Sequence, residues 1–94
     1  MNLQGKTILI TGASGGIGRE IAVRLARQHA RLILVGRDPV ALQETHTDVS
    51  AAGGSADMLV ADLLSQEDRA RIVGFCTGLE PGLWGLINNA GCNH

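Results

Sequence analysis

Residues Thr11 to Gly18 read TGASGGIG, between the apolar run TILI and the helix-like run REIAVRLARQ, and four of the eight are glycine. Glycine tolerates positive φ and lets another group approach the backbone, at a cost in chain entropy. The chemistry that such a turn offers is anion binding. The free N–H groups of a starting helix and the positive end of its dipole face the turn, and together they suit a phosphate. The spacing is GxxxGxG at Gly12, Gly16 and Gly18, which departs from the GxGxxG dinucleotide fingerprint. It also departs from the P-loop, because Arg19 and Glu20 stand where Lys and Ser or Thr are required. A tight turn without a ligand needs about one or two glycines, so a bound anionic ligand is the better reading.

Strands and helices must place this loop. Lys6–Thr11 is a short β-branched run ending at Gly12, the pattern of a strand buried on both faces. Beyond Gly16 the period changes: Ile17, Ile21 and Leu25, with Ala22 and Ala26, recur at helical spacing while Arg19, Glu20, Arg24 and Arg27 point elsewhere. Arg31–Val35 is a second strand ended by Gly36. Asp38 then caps a second helix that has Pro39 as its first residue, runs to about Ala52 and is closed by Gly53 and Gly54. Ala56–Ala61 is a third strand. Ser65 and Asp68 form a capping box for a third helix through about Thr77, and Leu83–Asn88 is a fourth strand.

The order βαβαβαβ with a helical crossover in every connection calls for an α/β fold with a parallel sheet, and such crossovers are right-handed. In the doubly wound, Rossmann-like arrangement the strands take the order 3-2-1-4, and ligands bind outside their carboxyl ends where the chain reverses direction. One domain over residues 1–94 is expected, with no repeat, linker or low-complexity tract.

TGASGGIG, together with Asp62 and the NNAG segment at Asn88–Gly91, resembles the short-chain dehydrogenase/reductase family. The three motifs come in the family's order and at family-like intervals along the whole chain. The resemblance implies a Rossmann-type domain that binds NAD or NADP and transfers hydride between the nicotinamide and an alcohol or carbonyl. Carried over by position, Gly12, Ser14, Gly16, Ile17 and Gly18 would wrap the cofactor's phosphates and ribose. Asp62 and Leu63 would hold the adenine. Asn88 to Gly91, the NNAG segment, with Asn88, Ala90 and Gly91 as its site residues, would hold the end of the fourth strand and touch the adenosine-side ribose.

NAD-binding units of this kind place an Asp or Glu near the end of the second strand, where it bonds the ribose hydroxyls and repels a 2′-phosphate. Here that position holds Gly36, and Arg37 follows it. A guanidinium makes charge-assisted paired bonds to phosphate, so NADP is expected ahead of NAD. Bonds to charged groups are worth roughly 1.5–3 kcal/mol, a preference of about ten- to a hundredfold. Ser14 would add a donor. Asp38, one residue further on, is accounted for as a helix cap rather than a ribose ligand.

The family's acid–base chemistry uses a Ser and a Tyr-x-x-x-Lys motif. This sequence has no tyrosine, and its only lysine is Lys6, ahead of the first strand. Asn93 follows NNAG too closely for the family's further asparagine, and His94 has nothing to orient it. The cofactor half is therefore expected without the chemical half, so no catalytic residue is assigned and catalysis by these residues alone is not expected. The first expectation is the N-terminal, truncated portion of an NADP-dependent oxidoreductase; the alternative is a free-standing NADP-binding module that senses the dinucleotide or completes a partner chain. The apolar strand Leu83–Asn88 would then form a sheet edge open to self-association or partner pairing.

Composition sets the outer limits. Hydrophobic residues make up 45% and charged residues 18%, ordinary for a folded domain. A formal net charge of −1 gives no basic excess for nucleic acid or a membrane surface. Cys76 and Cys92 form no CxxC, and His29, His46 and His94 are scattered, so neither a metal site nor a disulfide framework is signalled. The N-terminal apolar run is too short for a signal peptide or a membrane span, and a cytoplasmic setting with reduced thiols is expected.

Overall fold

Every residue of Thr7–Thr11 is buried, as are five of the six in Arg31–Gly36, which is the pattern of parallel strands covered on both faces. In the computed structural model, which describes residues 2–89, these are β1 and β2 of a chain that runs β1, α1 (Gly16–Ala26), β2, α2 (Pro39–Ala51), β3 (Ser55–Val60), α3 (Gln66–Thr77) and β4 (Gly85–Asn88). All strand pairs are parallel and the sheet order is β3-β2-β1-β4, the expected arrangement.

Because side chains alternate across a strand, the central pair feeds two cores. Ile8, Ile10, Leu32 and Leu34 point to one face, where Ala22 and Ala26 of α1 and Leu42 and Val49 of α2 cover them. Leu9, Ile33 and Val35 point to the other, against Ile72, Phe75 and Cys76 of α3. Cys76 carries a free thiol, and partial burial pushes its pKa up. The α1–α2 layer is tied at its surface by Arg19, whose guanidinium lies 2.7 Å from Asp48 and 3.6 Å from Glu44. Small residues set that layer's closeness: a Cβ on Gly54 would lie 2.7 Å from the Ala26 methyl.

Several element edges differ from expectation, with β2 running through Gly36 and β3 beginning one residue early at Ser55. β1 begins at Thr7 because the Lys6 amide donates to the Leu3 carbonyl in a turn. β3 ends at Val60, although the Ala61 amide still donates to Gly36 O at 2.9 Å. β4 begins at Gly85, while Trp84 precedes it with its amide on Thr7 O at 2.7 Å and its ring beneath the Lys6 ammonium, 5.7 Å from the centroid. Gly53, at φ 101°, ends α2 in the left-handed conformation that favours glycine.

Candidate functional site

The carboxyl ends of all four strands open on one side of the sheet. From β1 the chain steps one way to β2 and β3 and the other way to β4, so the crevice beside β1 is the switch point of the fold. A cleft of about 1080 Å³ lies there, lined from the glycine turn by Gly12, Ser14, Gly16 and Ile17, from β2 by Gly36 and Arg37, from β3 by Asp62 and Leu63, and from β4 by Asn88 and Asn89.

The turn is held from several sides. Gly12 has φ 65°, and its carbonyl accepts from the Asn89 side-chain amide at 3.2 Å. At Ala13 both polar groups are engaged: its amide donates to Val35 O at 3.0 Å, and its carbonyl accepts from the buried Thr45 hydroxyl at 2.9 Å. The loop's carbonyls are thus turned to the protein. Gly15 is the N-cap of α1 and supplies no side-chain cap, so the first-turn amides of Gly16, Ile17 and Gly18 have no partner within the helix. The other two helices are capped, α2 by Asp38 and α3 by Ser65. Gly18 itself is buried below the cleft, where a Cβ would run into the Gly12 carbonyl and lie 3.0 Å from Asn89 Nδ2. It is a packing glycine between α1 and the turn rather than part of the cleft wall.

At the end of β2, Arg37 is exposed and makes no hydrogen bond or ion pair among the described residues. Asp38 beside it is committed: its Oδ1 accepts from the amides of Val40 at 3.0 Å and Ala41 at 3.3 Å. Position 36 has little room, since a Cβ there would lie 2.8 Å from Ser14 Oγ.

Past β3, the Asp62 amide donates to Asp68 Oδ2 at 2.7 Å, and Asp62 Oδ1 accepts from the Leu64 amide at 2.9 Å. The capping box expected of Ser65 and Asp68 is therefore half formed. Ser65 Oγ accepts from the Asp68 amide at 3.2 Å, but Asp68 turns its carboxylate to Asp62 instead of to Ser65, whose own amide donates to Asp62 O at 2.9 Å. The bond from the Asp62 amide, with the Arg71 guanidinium adding to it, holds the Asp68 carboxyl below the usual carboxylate range. Leu64 projects from this loop with 85% of its surface exposed at the cleft mouth.

On β4, Asn88 Oδ1 accepts from the Thr11 hydroxyl at 2.8 Å, tying the two strand ends together. Ala90 and Gly91, also expected at the site, lie outside the described residues. The structure thus brings Gly12, Ser14, Gly16, Ile17, Arg37, Asp62, Leu63 and Asn88 to one cleft and puts Gly18 beneath it. Sequence reasoning did not single out Thr45 or Leu64, and it took Asn89 only as a member of the NNAG segment. Its place within NNAG is the signal that pointed to Asn89; Thr45 is a helix-interior threonine with none. Among the described residues there is no cluster of three or more His, Cys, Asp or Glu placed to hold a metal ion, and no helix is long and apolar enough to cross a membrane.

Residues 6–94 match the family model described as short chain dehydrogenase. The chain is 34% identical to an 11-beta-hydroxysteroid dehydrogenase of Pinus massoniana over 99% of its own length and 26% of that protein's. It superposes on the apo form of glucose dehydrogenase of Caenorhabditis elegans with a TM-score of 0.85 at 35% identity, covering 95% of this chain and 39% of that one. An NADH-dependent reductase complexed with NAD gives a TM-score of 0.79 at 34% identity, covering 92% of this chain and 36% of that one. The chain spans 19% to 31% of the length of the first three curated relatives it matches. It belongs to the short-chain dehydrogenase family.

Proposed function

We propose that these residues form the dinucleotide-holding part of an NADP-dependent short-chain oxidoreductase acting on an alcohol or carbonyl. The observation that carries the reading is that the uncapped N-terminus of α1 and the unpaired Arg37 border one cleft at the switch point of the sheet. The first-turn amides supply donors for the bridging phosphates, with the helix dipole behind them. Ile17 and Leu63 offer apolar surface, Asp62 an acceptor for the adenine, and Asn88 a polar group near the ribose. Gly12 and Gly36 keep the backbone bare where the cofactor must come close.

NADP rather than NAD rests on Gly36 and Arg37. No carboxylate at the end of β2 repels a 2′-phosphate, and Arg37 has its guanidinium free for one. Asp38 is the remaining acid, and the cap of α2 engages it. A relative of this fold holds NAD, which supports a nicotinamide dinucleotide here and leaves the phosphate preference to these residues.

Bound dinucleotide would supply the hydride chemistry. The residues described here bind and orient it. They contain no tyrosine, and Lys6 lies at the amino end of β1, away from the cleft, so the proton that accompanies the hydride is handled by groups outside this set. In keeping with the two scattered cysteines, a cytoplasmic setting is proposed. Calorimetric titration with NADPH tests the reading: one saturable site per chain supports it, and no heat of binding from a protein that melts cooperatively would reject it.

A further inference from the structure

The loop that carries Asp62 and Leu63 leaves β3, and β3 is an edge strand of the sheet, with a neighbour on one side only among the described residues. Past Val60, the one backbone bond from this loop to that neighbour among the described residues runs from the Ala61 amide to Gly36 O at 2.9 Å. Side chains of α3 hold the remainder. Asp68 Oδ2 accepts from the Asp62 amide at 2.7 Å, the Arg69 guanidinium donates to Leu63 O at 2.6 Å, and the Arg71 guanidinium donates to Val60 O at 2.6 Å. Asp68 is the centre of the set: it is half-buried while both arginines are exposed, and its second oxygen lies 3.4 Å from Arg71. Within the loop, Asp62 Oδ1 is engaged by the Leu64 amide at 2.9 Å. That leaves Asp62 Oδ2 and the Leu63 amide, on two residues that line the cleft, without a partner among the described residues.

We infer that Asp68 is a positioning residue for base recognition: its hold on the Asp62 amide sets the loop so that Asp62 Oδ2 and the Leu63 amide meet the base as a fixed acceptor and donor pair. The idea rests on the proposed dinucleotide site, and it adds the residue that arranges the adenine end. Asp68 itself does not line the cleft and acts through the loop. Adenine presents an amino donor beside a ring-nitrogen acceptor, and a carboxylate oxygen with a backbone N–H complements that order. Hypoxanthine reverses both groups, with a carbonyl in place of the amino group and an N–H in place of the acceptor. A site built on hydrogen bonds rejects such an analogue only while its own groups are held in place.

The test is calorimetric titration with NADPH and with its hypoxanthine analogue, in which a carbonyl oxygen replaces the adenine amino group. The parent should prefer NADPH by about tenfold or more, the effect of one bond to a charged group. Asp68→Ala should cut that preference to within about threefold, chiefly by weakening NADPH. Asp68→Asn keeps an oxygen for the Asp62 amide and should retain most of the preference. Val49→Ala is the control, because it opens a cavity in the core on the other face of the sheet: it should lower the melting midpoint and leave the preference unchanged. If Asp68→Ala fails to fold, Arg69→Ala, at the surface, must still lower the preference about threefold. A preference that is absent in the parent, survives Asp68→Ala or falls equally in Val49→Ala would overturn the inference and leave the binding site standing. A parent that binds neither dinucleotide would instead defeat the proposed site, and the inference with it.

Discussion

The side-chain amide of Asn89 donates to the carbonyl oxygen of Gly12 at 3.2 Å, joining the end of β4 to the turn after β1 across 77 residues of chain. The turn's carbonyls are thereby held toward the protein, which leaves its amides for an anion. Asn89→Ala should cost about 1 kcal/mol of stability, the usual worth of such a bond, measured by urea denaturation. Dinucleotide affinity should fall several-fold in the same variant, because the turn is no longer held in its binding shape.

Gly16 and Gly18 are two residues apart in α1 and should respond oppositely to the same change. A methyl on Gly18 meets the Gly12 carbonyl, while one on Gly16 has nothing within 4 Å. Gly18→Ala should destabilise the fold by about 1–3 kcal/mol through overpacking. Gly16→Ala should be neutral or stabilising by up to about 1 kcal/mol, since it limits the unfolded chain. Parallel denaturation of the two variants checks the contrast.

Asp68 should give acid sensitivity to the loop that carries Asp62. Its carboxyl is held below the usual range, first by the Asp62 amide and then by Arg71. A depressed folded pKa adds stability that is complete above the unfolded value, about 4, and is lost as pH falls through the folded value. The stability gap between the parent and Asp68→Asn should therefore be constant near neutrality and shrink below about pH 4. A carboxyl titration of Asp68 by NMR should show the lowered midpoint directly.

The outer edge of β4 should mediate self-association. Leu86 is 64% exposed on a strand paired on one side only among the described residues, and Trp84, just before that strand, is 58% exposed; an open apolar edge invites pairing. The apparent mass in sedimentation should rise with concentration for the parent, and Leu86→Lys should keep it at the monomer value.

Much of this architecture could be read from residue order. The continuous apolar runs of β1 and β2, the helical period after Gly16 and the Asp38-Pro39 pair each specify an element locally, and the crossover lengths then leave little freedom in strand order. That the turns directly after the strands gather at one cleft was legible for the same reason. What the sequence does not carry is contact between distant segments. The Asn89 bond to Gly12, the Thr45 bond to Ala13 and the closeness of Ser14 to position 36 each join residues that are more than twenty apart. The Asp68 half of the expected capping box does not form, because the donor its carboxylate engages, the Asp62 amide, belongs to the loop and not to the helix. That position 18 needs glycine for packing against the Gly12 carbonyl was likewise not legible from its spacing.

Arg37 should make the cleft hold NADP in preference to NAD. The most direct test is a calorimetric measurement of NADPH and NADH affinity in the parent and in Arg37→Ala. The parent should prefer NADPH by about ten- to a hundredfold, a preference largely lost in the variant because NADPH weakens while NADH does not. Equal affinities in the parent, or equal weakening of both dinucleotides in Arg37→Ala, would contradict it.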